Sequence, residues 1–231
     1  MVDMRVAGCL VLLMLWSGTG ALKAAPLNDA AEHYRPYMVE GIGDALAGAR
    51  ELRERAAAND LAGAKKAWIS ARAGWERSEV FTAGFVPELD AQIDAWPNAD
   101  SGFHAIEAKL FGAGRTDVEN DAEALVANLN NLHGKLHDMP LTPQGLLDGT
   151  VRLAYEVGES KADGGESRIS GTSLDDMRNN VAGARGALPI ETPKGADRSA
   201  DSKRSLAVMS SAIAGTRNTI IGRSFSMTSN Q

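Results

Sequence analysis

Cysteine is almost absent from this 231-residue chain, and its one thiol, Cys9, falls within the first 25 residues. Those residues read as an export signal: Arg5, then VAGCLVLLMLW, then small residues through ALKAA before Pro26, with cleavage near Ala25. The mature chain would then have neither disulfides nor thiolate metal ligands, so any metal must be held by oxygen and nitrogen. Cys9 also precedes the apolar stretch instead of following it, which argues against VAGC being a site of lipid attachment. That stretch is too short to span a bilayer, so no stable membrane insertion is expected. Aromatic residues are scarce at 5%, while 24 glycines and abundant alanine favour packed helices over a β-sandwich. Basic charge is deficient as well. Residues 26–186 carry 16 Lys and Arg against 26 Asp and Glu, a net charge of −10, which argues against nucleic acid as a partner and suits either cations or a solvated acidic surface.

What remains is helical periodicity without convincing strands or short repeats. A first helix is expected from Asn28 to about Ala58, and a second follows Asp60 as its N-cap. Residues 82–102 are rich in breakers and read as a loop with a short helical turn. A third helix opens at GFHAIEAKLF (102–111), capped by Asp100 or Ser101. A fourth starts with a Thr116/Glu119 capping box and buries Val118, Leu125, Leu129, Leu132 and Leu136. A fifth begins at Thr142 with Pro143 in its first turn, and a sixth at about Ser173. After Leu188 the chain turns basic and Ser-rich, so that 26–188 reads as one helical domain and 189–231 as a divergent, disordered tail.

Two motifs carry chemistry. His104 and Glu107 are three apart, which puts them on one face of a helix beside Phe103, Ile106 and Leu110. Glu76 and Glu79, in WERSEVF, repeat that spacing on the preceding long helix. Facing helices of a bundle can aim such pairs at a shared cation, and a metal would relieve the repulsion between buried carboxylates. The plain alternatives are an incidental polar pair at a core edge for His104 and Glu107, and a solvated face paired with Arg72 or Arg77 for Glu76 and Glu79. His133 and His137 lie on a polar face and read as solvated. One imidazole with several carboxylates is a hard donor set, suited to Fe2+, Fe3+, Mn2+ or Zn2+.

Taken in order, Tyr34 and Tyr37, NDLAGAKKAW, ARAGWERSE, ELDAQIDAW, GFHAIEAKLF and YEVGESKADGGESRIS resemble the imelysin-like family of exported proteins, in particular its EfeO and EfeM group. The resemblance covers roughly residues 30–187. It implies an all-α protein built from four-helix-bundle halves, with a metal site drawn from His104, Glu107, Glu76, Glu79, Asp94 and Glu166. Glu166 matches least closely, because Gly165 replaces a family acid and Ile169 a tyrosine. Locally Asp94 reads equally as a loop cap or a ligand, and Glu166 as a solvated loop acid. Asp90 reads as a turn residue or a residue behind the ligands, and Glu156 as packing or a salt bridge.

The resemblance further implies a periplasmic protein of a bacterial iron-uptake system, without the cupredoxin domain of EfeO-type members. It would bind iron and pass it to an inner-membrane iron permease, alongside a peroxidase-like partner. A zinc metallopeptidase is a rival expectation, weakened by the lack of H-E-x-x-H. A third is a binder whose site has decayed, since the helix that completes the family's bundle after NVAGARGA (180–187) is missing or divergent here.

Overall fold

The computed structural model describes residues 21–80, 82–95, 100–161 and 166–187. The first 20 residues of the expected signal and the whole of the 189–231 tail lie outside them. All regular structure among the described residues is helical. Helix α1 spans Ala21–Ala57, so it starts inside the stretch read as signal, and α2 spans Leu61–Ser78. The chain reverses between them through Asn59, whose φ of 56° lies in the left-handed region that ends helices, and Asp60 caps α2 by accepting from Gly63 N at 2.8 Å.

The breaker-rich stretch after α2 is more regular than its composition suggests. It holds two short helices, α3 (Thr82–Phe85) and α4 (Pro87–Ile93), because Pro87 starts a turn without needing its missing N–H. Helix α5 (Gly102–Glu107) runs into a π-helical turn over Ala108–Gly112. Helix α6 is Glu119–Leu136, α7 is Pro143–Glu156 followed by a second π-helical turn over Val157–Lys161, and α8 is Ser173–Ala187. Thr142 caps α7 as expected, accepting from Gly145 N at 3.1 Å. The expected capping box on α6 does not form. Val118 holds the cap position, and the Thr116 hydroxyl instead donates to Asn59 Oδ1 at 2.9 Å, tying the start of α6 to the α1–α2 turn.

Helices α1 and α2 pack as an antiparallel pair, with α6 against α1 and α8 against α2. Met38, Ile42, Ala45 and Leu52 of α1 meet Trp68 and Trp75 of α2, and Leu125, Leu129, Leu132 and Leu136 of α6 close the core as their spacing predicts. Gly74 allows the α1–α2 approach: a Cβ there would stand 2.6 Å from both Ala45 N and Gly41 O. Phe103 packs edge-on against Trp68, anchoring α5 on α2. Gly102 makes that entry possible, having a φ of 75° and no room for a Cβ, which would fall 2.3 Å from Ile93 O. No helix among the described residues is long and apolar enough to cross a membrane.

Candidate metal centre

One turn of α2 after the fully buried Trp68 comes Arg72, only 1% exposed and in the middle of the helix. A guanidinium there must be paired, and the chain brings carboxylates to it from four other places. Glu76, one turn on, lies 2.5 Å from Nη2, and Glu166 from the segment before α8 lies 2.5 Å from the same nitrogen. Asp94, at the C-terminus of α4, bonds Nη1 through Oδ1 and accepts from Trp75 Nε1 at 2.7 Å through Oδ2. Asp176 of α8 approaches Nε to 3.8 Å, and its Oδ2 has no hydrogen-bond donor among the described residues. Phe103 lies under the guanidinium, 5.3 Å from ring centroid to Cζ.

A second cation sits beside the first. Lys161 ends the second π-helical turn, and its Nζ lies 3.1 Å from Glu76 Oε2, 2.9 Å from Glu79 Oε2, 2.8 Å from Glu166 Oε2 and 2.9 Å from Asn180 Oδ1. Asn180 of α8 in turn donates through Nδ2 to Glu76 Oε2 at 2.6 Å and Glu79 Oε2 at 2.8 Å. His104 completes the cluster. Its Nδ1 faces Glu107 Oε2 at 3.1 Å and its Nε2 faces Asp94 Oδ1 at 3.3 Å. Glu107 stands one step back from the cluster: its Oε1 accepts from Ser170 N and Ser170 Oγ, both at 2.7 Å, so that it orients the imidazole and the 166–170 segment together.

The six residues named by sequence are therefore drawn into one connected network, five of them buried and Asp94 half-buried. Single ligand atoms of Asp94, His104 and Glu166 lie within 4.8 Å of one another, as do those of Glu76, Glu79 and Glu166. Glu166, the least close match to the family, is common to both groups. The solvated face considered for Glu76 and Glu79 does not exist, since both are buried; Arg77 pairs with Asp44 instead. Glu156 makes the expected salt bridge, with Arg152 at 2.6 Å.

Sequence reasoning missed part of the compensation. It placed Arg72 beside Glu76 and Glu79 only as the partner of a solvated face and did not single out Lys161, whereas both cations stand among the buried acids. The signals were there as i, i+4 spacings of Arg72 with Glu76 and of Asp176 with Asn180, but neither states which face is buried. Compensation is still incomplete. Glu76, Glu79, Asp94, Glu107, Glu166 and Asp176 bring six carboxyl groups against Arg72, Lys161 and His104, a formal surplus of three negative charges when all six are ionised and the imidazole is protonated, and smaller by each carboxyl that keeps its proton.

The proton affinities reflect this surplus. Burial pushes the Glu76 and Glu79 carboxyls up to about 7 despite Arg72 beside the first and Lys161 beside both. Burial also outweighs Arg72 at Glu166 and Asp176, which are both raised. At Asp94 burial is overcome by Arg72 and the His104 hydrogen bond, holding that carboxyl well below its usual range. Burial opposes charge on His104 too, but Asp94 and Glu107 lift the imidazole to about 9. Burial disfavours the Arg72 and Lys161 cations most of all, yet the surrounding acids hold both well above their ordinary values.

The sequence profile of the imelysin family, which carries a peptidase label, matches residues 30–101 and 98–220. This chain belongs to the imelysin family. Within it, the chain is 34% identical over 184 residues to an Efem/EfeO family lipoprotein of Staphylococcus aureus strain MRSA252, the alignment covering 73% of this chain and 63% of the relative. A second lipoprotein so named, from strain NCTC 8325, is 33% identical over the same shares. The all-α architecture and the EfeO/EfeM kinship expected of an imelysin-like sequence both hold. The chain spans 63% of the length of these relatives. The second profile match runs to residue 220, into the segment whose composition set it apart as a tail.

Proposed function

We propose that this imelysin-family chain is an exported metal carrier of a bacterial iron-uptake system, which binds iron at the buried cluster and delivers it to an inner-membrane permease. The observation that carries the reading is the excess of acids: six carboxyl groups, five on buried residues and the sixth on half-buried Asp94, face three cationic groups, so a further positive charge is electrostatically favoured there. The donors fit such an ion, being carboxylate oxygens and one imidazole. Ferrous or ferric iron as cargo is supported by the EfeO/EfeM kinship; the donor set itself suits Zn2+ and Mn2+ equally. Kinship with lipoproteins supports export to the cell envelope, and a periplasmic site of action follows from the expected signal. Permease and peroxidase-like partners come from the same kinship.

A hydrolytic zinc centre has less support. It needs an open ligand position and a separate general base, and the sequence has no H-E-x-x-H segment to supply the base beside paired histidine ligands.

Glu166 is the residue to test, since both possible ligand groups use it. Anaerobic calorimetric titration with Fe2+, and in air with Zn2+, should show saturable binding to the purified chain. Glu166→Gln should weaken it by at least about tenfold, roughly 1.4 kcal/mol. Binding absent from the wild type, or indifferent to Glu166→Gln, would contradict the reading.

A further inference from the structure

Building on the carrier reading, we infer that Lys161 is a resident counter-ion that occupies the cargo position, so that the incoming metal ion must expel its ammonium group from among Glu76, Glu79 and Glu166. The geometry is that of a cation holder. Four oxygens surround Nζ at 2.8–3.1 Å, one more than the three N–H donors of an ammonium group, so the oxygens crowd the cation beyond its one-to-one hydrogen-bonding capacity. These are the same carboxylates a metal would take, at the shorter distances of about 2.0–2.2 Å typical of zinc–oxygen ligation. Two cations cannot share that space.

Lys161 and Arg72 differ in how firmly they are fixed. Arg72 lies in mid-helix, lodged on Phe103 and pinned by Asp94, Glu76 and Glu166. Lys161 ends a π-helical turn on a flexible four-carbon stem, and its hydrogen bonds run only to the oxygens the metal would take and to Asn180, among the described residues. It can leave without unmaking the core.

Two consequences follow. Exchanging one monovalent ammonium for Na+ or K+ adds no charge, whereas a divalent or trivalent ion adds one or two to a cluster in which carboxyl groups outnumber cationic groups. Lys161 thereby sets a charge threshold for cargo. Being tethered, it also returns at high effective concentration once the metal's hold weakens, which gives the ion a way out.

Two measurements test this with zinc chloride alone as the probe. In the first, the wild-type chain is treated with formaldehyde and a borohydride reductant, and methylation of each lysine is followed by peptide mass spectrometry. Lys161 should react slowly without zinc and at least about tenfold faster with saturating zinc, while the exposed Lys66 and Lys135 keep their rates. In the second, Lys161→Met should bind zinc at least about tenfold more tightly, because the competing state is removed. Bound zinc with Lys161 still protected overturns the inference and leaves the carrier reading standing, as does unchanged or weaker affinity in a folded Lys161→Met. Zinc binding by neither protein defeats both. Should Lys161→Met fail to fold, the wild-type methylation rates decide.

Discussion

Arg72 shows at the level of one residue why the cluster tolerates so many acids. Its guanidinium meets Asp94, Glu76 and Glu166 while 1% exposed, so removing it strands several buried carboxylates at once. Arg72→Met is expected to cost about 3–5 kcal/mol, as for other broken buried pairs, measurable as a lower midpoint in urea denaturation. The titrating groups give a second expectation. Glu76 and Glu79, raised to about 7 from a usual 4.5, contribute fully below that usual value, and their contribution is lost as pH rises through about 7. The His104 contribution, present below its usual 6.5, is lost as pH rises through about 9. Asp94 and Glu107 are held low and act oppositely, losing their contribution only on acidification. Chelator-treated protein should therefore melt several degrees lower at pH 9 than at pH 5.5 in scanning calorimetry; a melting temperature that climbs over that range would refute the assignment.

The site is assembled by elements that each bring a small part of it. Helix α2 delivers Arg72 and Glu76 and is capped by Glu79, α4 is capped by Asp94, α5 delivers His104 and Glu107, and α8 delivers Asp176 and Asn180. Both π-helical turns adjoin the cluster, the first just after Glu107 and the second ending on Lys161, as is frequent at functional sites. Gly74 sets the height of α2 against α1, and its backbone contacts leave no soft neighbour to yield. Gly74→Ala should push the two helices apart, costing on the order of 1–3 kcal/mol and weakening zinc binding through displaced Glu76, both readable on the purified variant.

Much of this was legible in the order of residues. The Asp60 and Thr142 caps, the apolar stripe of α6 and the pairing of His104 with Glu107 followed from local spacing, because each partner lies within one helical turn. Thr116 and Glu119 misled, since a contact 57 residues away in sequence claimed the hydroxyl. Lys161 was illegible for the same reason: two of its three carboxylates lie 82 and 85 positions earlier, on α2 and at its C-cap, and only packing brings them to it.

For the whole molecule, a net-acidic, all-helical body carries its charge surplus inside as well as outside. That interior surplus, and not the surface, is what an ion would find. The family profile reaches residue 220, so a chain ending at residue 187 should lose stability if the later segment contributes packing, a loss that thermal melting of the shortened and full chains would register. The most direct test of metal capture is anomalous diffraction at the zinc edge from crystals grown with zinc. The expected result is a single strong peak bounded by the carboxylates of Glu76, Glu79 and Glu166, with the Lys161 side chain turned away. Peaks confined to surface acids, with Lys161 Nζ still seated between Glu79 and Glu166, would contradict it.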